Sequence, residues 1–377
     1  MMGVSFTADK FGYYKVGDRS TYSKLEAIEW SKKTNKNTEW DFNHSVFNSI
    51  DWTKEPDMDL WEMYKARARQ IRESYDYIVL WYSGGSDSHN LLLAWIDAGL
   101  KIDEIATTWN YEASGDPHDH YNAEITNVVL PDIKKLKDSG IEFNFRLVDI
   151  SKLCIDLFDT WGNEYEYHVN FHLSVNNPAK HLMRNKIKDY SDMIAAGKKL
   201  CFVWGKEKPL MQVENGKHYF MFCDNIDNTV GPYIQRNYHK GWYDELFYWT
   251  PDYPLLPVKQ AHVIKNYLEH ATDVSEFEPV KNDKFQINGY SKKLNMYLRD
   301  ERVKSLLYPK WSNDIFCNGK AGSFTYSQRD EWFLNSNLDK AQRYYQLVDS
   351  YYKTIDHDDT KRRRNVVPHY SPKYWLE

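Results

Sequence analysis

Cysteine is scarce and scattered. Cys154, Cys201, Cys223 and Cys317 are the only four in 377 residues, and no two form a CxxC pair. That spacing excludes a zinc knuckle, an iron–sulfur centre on paired thiolates and a disulfide framework, and it suits a reducing compartment. Long apolar runs are missing too: none approaches the roughly 20 residues of a membrane-spanning helix. The start, Met1-Met2-Gly3-Val4-Ser5-Phe6, has neither the basic nor the apolar stretch of a secretory leader. These absences predict a cytoplasmic chain, in a host cytoplasm if the protein is viral, with no membrane partner. A basic excess is also lacking. The formal charge of −5 does not indicate a general nucleic-acid binder, although it leaves a local basic patch open. No internal repeat and no low-complexity linker interrupts the chain.

Aromatic residues are abundant, at 16% of the chain with 29 Tyr and 14 Trp. Such rings stack on bases or line interfaces, including those of a homo-oligomer. Here they are spread along the whole chain and do not cluster with Lys and Arg, which favours a core rich in amphipathic rings. The length allows a substantial core and about two domains.

Residues 1–56 read as a polar lead-in with helical character in Ser23–Trp30. A helix is expected from Asp57 to Ser74, where Leu60, Tyr64, Ala68 and Ile71 recur at helical spacing. The apolar run Ile78-Val79-Leu80-Trp81-Tyr82 predicts a strand. A helix from Asp87 carries Leu91, Leu92, Trp95 and Ile96 on one side and stops near Gly99. A second strand is Glu104–Trp109, and a further helix shows Ile125, Val128, Val129, Ile133 and Leu136. Ile141–Val148 and Leu200–Trp204 read as the third and fourth strands. Strands alternating with helices of this length predict βαβ units, hence an α/β fold with a doubly wound parallel sheet over residues 57–258. His218–Phe222 reads as a strand paired through the turn at Asn215-Gly216. From residue 259 to 377 a mainly helical region is expected, clearest at Lys259–Glu269 and Asn337–Ile355.

The densest chemical signal lies directly after the first strand: Ser83-Gly84-Gly85-Ser86-Asp87-Ser88. Glycines let a backbone approach an anion, and the helix that follows offers unpaired N–H groups and a positive dipole end. The spacing lacks the G-x-x-x-x-G-K-[ST] of a P-loop and the G-x-G-x-x-G of a dinucleotide fingerprint. It resembles the SGGxDS signature of the PP-loop ATP pyrophosphatases, which include asparagine, GMP and NAD synthetases, tRNA-thiolating and lysidine-forming enzymes and sulfonucleotide reductases. The match is complete over the six residues, and its βα context spans about 75–150 plus the strand near 200–206. Composition and flanking segments look most like uncharacterised PP-loop proteins of tailed phages.

The resemblance implies a cofactor and a reaction. ATP is split between the α and β phosphates, a carbonyl or carboxylate oxygen of a small-molecule or nucleotide substrate is adenylated, and a nitrogen or sulfur nucleophile then displaces AMP. Ser83, Ser86 and Ser88 supply hydroxyl donors, and Gly84 and Gly85 expose backbone N–H groups. A carboxylate beside a polyphosphate is repulsive, so Asp87 is expected to hold a bridging Mg²⁺, or else to cap the helix. A second phosphate contact is expected at the end of the fourth strand, Trp204-Gly205-Lys206-Glu207-Lys208-Pro209. There Gly205 allows close approach and Lys206 neutralises the leaving pyrophosphate; a solvated turn is the plain alternative. At the end of the second strand, Trp109 or Tyr111 can stack on adenine while Asn110 reads its edge, or Trp109 packs under the sheet.

Other polar clusters are weaker. Asp116–His120 contains a His-x-His pair that can ligate a metal but reads better as a loop. Lys259 and His262 can face a substrate or the solvent. Lys361–Arg364 follows Asp356–Asp359, which offsets its field. Absences weigh against several relatives of the motif. The chain has no Cys at its start for a glutaminase, no Cys in its final segment Tyr370–Glu377 of the kind sulfonucleotide reductases use, and no paired cysteines for zinc or a cluster. An adenylating enzyme is the leading expectation. The alternatives are a sulfonucleotide enzyme without that cysteine and a nucleotide-binding regulatory protein without turnover.

Overall fold

Three sheets organise the residues that the computed structural model describes, which are 10–22, 24–114, 122, 124–160, 176–205, 210–224, 241–270, 305–310 and 369–377. The first is antiparallel and was not expected from the polar lead-in: β1 (Tyr13–Val16) lies between β2 (Arg19–Thr21) and β3 (Glu39–Asp41). Strands of three or four residues are too short to display a two-residue period, so the segment read only as a polar lead-in. The expected helical segment forms α1 (Lys24–Thr34), and a short α2 (His44–Phe47) follows β3.

The next helix, α3 (Leu60–Ser74), begins after the expected boundary at Asp57, at the first residue of its apolar spacing. The Asp59 carboxylate accepts from Trp61 N at 2.8 Å and so fixes the start. It leads into the central sheet: β4 (Tyr77–Trp81), β5 (Glu104–Trp109), β6 (Asn144–Asp149), β7 (Leu200–Trp204) and β10 (Trp242–Leu246). All five run parallel in the order β10-β7-β4-β5-β6. β6 sits a few residues beyond its expected place, and β10 was not anticipated. Between strands lie α4 (Ser86–Asp97), the short α5 (Tyr111–Ser114), α6 (Leu130–Asp138) entered through a π turn at Ile125–Val129, and α7 (Ser151–Thr160), α8 (Asn176–Leu182) and α9 (Lys188–Ala195).

Strand alternation divides the buried residues between two faces. Ile78, Leu80, Tyr82, Ile105, Cys201 and Val203 join a core with residues of α3, α4 and α6. The opposite face meets the segment that returns from β6 to β7: Tyr190 packs edge-on to Phe202 at 5.3 Å, and the Arg184 guanidinium lies over Phe202, Trp204 and Trp242 at 4.4 to 5.6 Å. The protein is therefore α/β, with a five-stranded parallel sheet covered on both faces, compatible with a doubly wound fold. The chain steps from β4 outward to β5 and β6, then returns to β7 on the other side of β4. In such sheets ligands bind beyond the C-terminal strand ends where the order reverses, here β4 and β7.

The third sheet, β8 (Leu210–Glu214), β9 (Lys217–Met221) and β11 (Tyr374–Trp375), is antiparallel in the order β11-β9-β8. Asn215 (φ 51°) and Gly216 (φ 79°) make the two-residue turn between β8 and β9; both positive angles match the strand twist. The helix α10 (Leu255–His270) contains the expected Lys259–Glu269 but starts earlier, with Pro257 in its first turn. The expected helix Asn337–Ile355 lies outside the described residues. The final residues are a strand, not part of a helical region, because Tyr374 and Leu376 bury their side chains against the core while their backbone pairs with β9. No described helix is long and apolar enough to cross a membrane.

Candidate functional site

The hexapeptide occupies the turn between β4 and α4, at the point where the sheet order reverses. Gly84 has φ +79°, and a Cβ there would stand 3.1 and 3.2 Å from side-chain carbons of Val129 and Val128. Both the backbone angle and the space therefore select glycine. Gly85 is the N-cap of α4 and offers no side-chain acceptor, so the helix start has no side-chain cap. This corrects one expectation: Asp87 does not cap the helix but lies within its first turn. The hydroxyls interlock, with Ser83 N donating to Ser88 Oγ at 3.2 Å, the two Oγ atoms 3.2 Å apart, and Ser88 Oγ donating to Gly85 O at 3.0 Å. Ser86 is buried beside them.

Gly205 arrives from the other side of the reversal. A Cβ on it would fall 2.9 Å from both Asp87 O and Ser88 Cα, so the end of β7 lies directly on the first turn of α4. The structure thus brings Gly205 to the hexapeptide. Lys206, with Glu207 and Lys208, lies outside the described residues, as do Asp116–His120 and Lys361–Arg364. At the end of β5, Trp109 stacks on Tyr111 with centroids 4.9 Å apart and rings 16° from parallel. Tyr111 is exposed, while Asn110 is buried and its backbone N–H donates to Asn122 Oδ1 at 3.2 Å. Lys259 and His262 have structural roles instead of substrate-facing ones. Lys259 Nζ pairs with Glu55 at 2.7 Å, and buried His262 places Nε2 2.8 Å from the Trp52 carbonyl oxygen.

Two sets of residues that the sequence did not single out surround the loop. Tyr82, the residue before it, donates to Asp132 Oδ2 at 2.6 Å, and His89 Nδ1 stands 3.0 Å from the Tyr82 hydroxyl and 3.3 Å from Asp132. Burial pushes the Asp132 carboxyl up, but hydrogen bonds from His89 and Tyr82 outweigh it and hold the group below its ordinary value. Burial, and then the Asp132 charge, drives the Tyr82 phenol well above its usual value. This network ties α4 and α6 to the base of the loop. The second set is made of tyrosines. Tyr248 donates to the Asp87 carbonyl at 2.7 Å and receives Asn90 Nδ2 at 3.0 Å, and the Tyr308 hydroxyl donates to Asp87 Oδ1. Tyr82 and His89 flank the motif in sequence. Tyr248 and Tyr308 carry no local signal.

The donor set fits a phosphate: the hydroxyls of Ser83 and Ser86, a glycine turn braced by Ser88, and a helix start without a side-chain cap. Asp87 supplies the hard oxygen a magnesium ion prefers. Among the described residues His218, Glu269 and Glu377 also offer ligand atoms within 4.8 Å of one another. There, however, the Lys265 ammonium pairs with Glu269 at 3.4 Å and Glu377 at 3.2 Å and occupies the place of a cation.

Fold and loop together define the class: an α/β protein with a strand–glycine loop–helix unit at the reversal point of a parallel sheet. The chain matches no protein-family model and no curated protein.

Proposed function

We propose that the chain is an ATP-dependent adenylating enzyme of the PP-loop type that binds ATP with Mg²⁺ at Ser83–Ser88. The observation that carries this reading is the placement of the complete SGGSDS hexapeptide at the reversal point, with Gly205 against the first turn of α4. In this reading the backbone N–H groups and the Ser83 and Ser86 hydroxyls hold phosphate oxygens, Ser88 braces the loop through Gly85, and Asp87 holds the metal. Mg²⁺ supplies charge neutralisation for the polyphosphate. Lys206 follows Gly205 directly and adds positive charge for the departing pyrophosphate. Trp109, Tyr111 and Asn110 stand at the end of the neighbouring strand, where an adenine can stack on the exposed ring.

The reaction balances in two steps. A substrate carboxylate or carbonyl oxygen attacks the α phosphorus, forming an O–P bond as the bond to the β-phosphate oxygen breaks and pyrophosphate leaves. A nitrogen or other nucleophile then attacks the activated carbon, and AMP departs with the bonding electron pair. ATP labelled in the α phosphate, and in a parallel assay in the γ phosphate, tests the reading: labelled AMP and labelled pyrophosphate respectively are the expected products, with loss of both in Asp87→Asn. Tight nucleotide binding without pyrophosphate exchange would point instead to a regulatory nucleotide-binding protein. Unchanged binding and turnover in Asp87→Asn would remove the site assignment.

A further inference from the structure

We infer that Tyr308, in the segment Ser305–Lys310, is a positioning residue for the metal site, holding the Asp87 carboxylate in one orientation for the cation that accompanies the nucleotide. The inference rests on the reading that Asp87 is the metal ligand. It adds a residue far from the motif in sequence whose chemistry acts only through Asp87.

The segment is docked independently of that hydrogen bond. The Tyr64 hydroxyl donates to the Leu307 carbonyl at 2.8 Å, and Gln260 Nε2 donates to Tyr64 at 3.0 Å. Lys310 pairs with Asp97 and lies over the Trp61 ring, 4.9 Å from its centroid. These contacts reach α3, α4 and α10, so the backbone around Tyr308 is fixed from several sides. Leu307 and Tyr308 are both buried. A buried phenol needs a partner, and of the groups at hand this one meets a loop carboxylate. Tyr248, whose ring centroid lies 6.0 Å from that of Tyr308, donates to the Asp87 carbonyl. Backbone and side chain of Asp87 are thus both held by tyrosines from outside the loop.

A carboxylate has about four lone-pair positions. A phenol donated to Oδ1 limits rotation of the side chain without covering both of its oxygens. Hydrogen bonding of a metal-ligating carboxylate by an outer residue typically changes metal affinity by about 10- to 100-fold.

The test is Mn²⁺ binding to the full chain in the presence of α,β-methylene ATP, followed by the electron paramagnetic resonance signal of free Mn²⁺. Tyr308→Phe is expected to weaken Mn²⁺ binding by about tenfold or more, while nucleotide affinity measured in EDTA stays unchanged. A purely structural role would lower both together. Unchanged or tighter Mn²⁺ binding in Tyr308→Phe would overturn the inference. Asp87→Asn separates the two levels: if it leaves Mn²⁺ binding intact, the metal assignment itself falls, and if it abolishes binding while Tyr308→Phe does not, only the role of Tyr308 falls. Should Tyr308→Phe fail to fold, Tyr64→Phe combined with Lys310→Ala loosens the same segment at both Leu307 and Asp97. It is expected to weaken Mn²⁺ binding several-fold, and no change would again overturn the inference.

Discussion

Two glycines with nearly the same backbone angle separate conformational strain from crowding. Gly84 (φ +79°) and Gly99 (φ +67°) both sit in the left-handed region, yet a Cβ on Gly99 meets nothing within 4 Å, whereas one on Gly84 crowds Val128 and Val129. Gly99→Ala should therefore cost only the left-handed penalty, roughly 1–2 kcal/mol, with nucleotide binding preserved. Gly84→Ala adds a packing cost of about 1 kcal/mol or more and should weaken nucleotide binding as well. Urea denaturation with calorimetric nucleotide titration checks both, and equal costs would mean that the valines move aside freely. A second comparison concerns Arg184, which is fully buried and donates to Asp244 Oδ1 at 2.8 Å, as does Trp204 Nε1 at 2.7 Å. Arg184→Met leaves a buried carboxylate without its counter-charge and should cost about 3–5 kcal/mol. Adding Asp244→Leu should recover only part of that loss, because the apolar pair needs no desolvation but leaves the buried Trp204 Nε1 without its acceptor; a double variant as unstable as the single one would show that the pair itself is needed.

At the scale of elements, legibility followed the locality of the cause. β4 was readable because both its faces are buried, which makes Ile78–Trp81 apolar without a break, and the β8–β9 turn was readable because Asn-Gly carries its own backbone preference. The hexapeptide was legible for the same reason, as six contiguous residues. β10 was not, because Asp244 and Glu245 interrupt its apolar pattern. Their partners, Arg184 and Arg67, lie 60 and 178 residues away in sequence and appear only in the fold. Tyr308, 221 residues from Asp87, was hidden likewise. β11 shows the same limit: two residues pair with β9, and what holds them is the stacking of Tyr374 on Trp52, with centroids 4.6 Å apart, and the burial of Leu376. A chain ending after residue 368 loses the burial of both side chains, worth about 1.5–3 kcal/mol each. It should unfold at clearly lower urea; an unchanged midpoint would mean that the third sheet stands without its last strand.

Across the whole molecule, the central sheet carries charge into its core, and this sets how stability responds to pH. Burial pushes the Glu245 carboxyl up, but Arg67 at 2.7 Å and Lys10 at 2.5 Å outweigh it, leaving the group below its ordinary 4.5. Asp103 is likewise pushed up by burial yet held below its ordinary 3.8 by Lys101 and Arg72. A carboxyl depressed by folding contributes stability that is complete above its unfolded value and lost as pH falls through the folded one. For His44 burial is the largest influence and lowers the imidazole below 6.5 against the opposing pull of Asp41. Folding therefore disfavours its proton, and stability begins to fall as pH drops under 6.5. Lys10 has the opposite sign: burial lowers it but Glu245 raises it further, so its contribution persists below 10.5 and fades only as pH climbs through the raised value. Urea midpoints between pH 3 and 9 should thus show a shallow decline below about 6.5 and a steeper one below about 4.5. His44→Gln should remove the shallow part alone. Glu245→Gln should flatten the steep part while lowering stability at neutral pH, since Arg67 then keeps a buried charge without its counter-ion. An acid limb unchanged by Glu245→Gln would place the responsible carboxyls elsewhere, with Asp103 and Asp132 the next to be substituted.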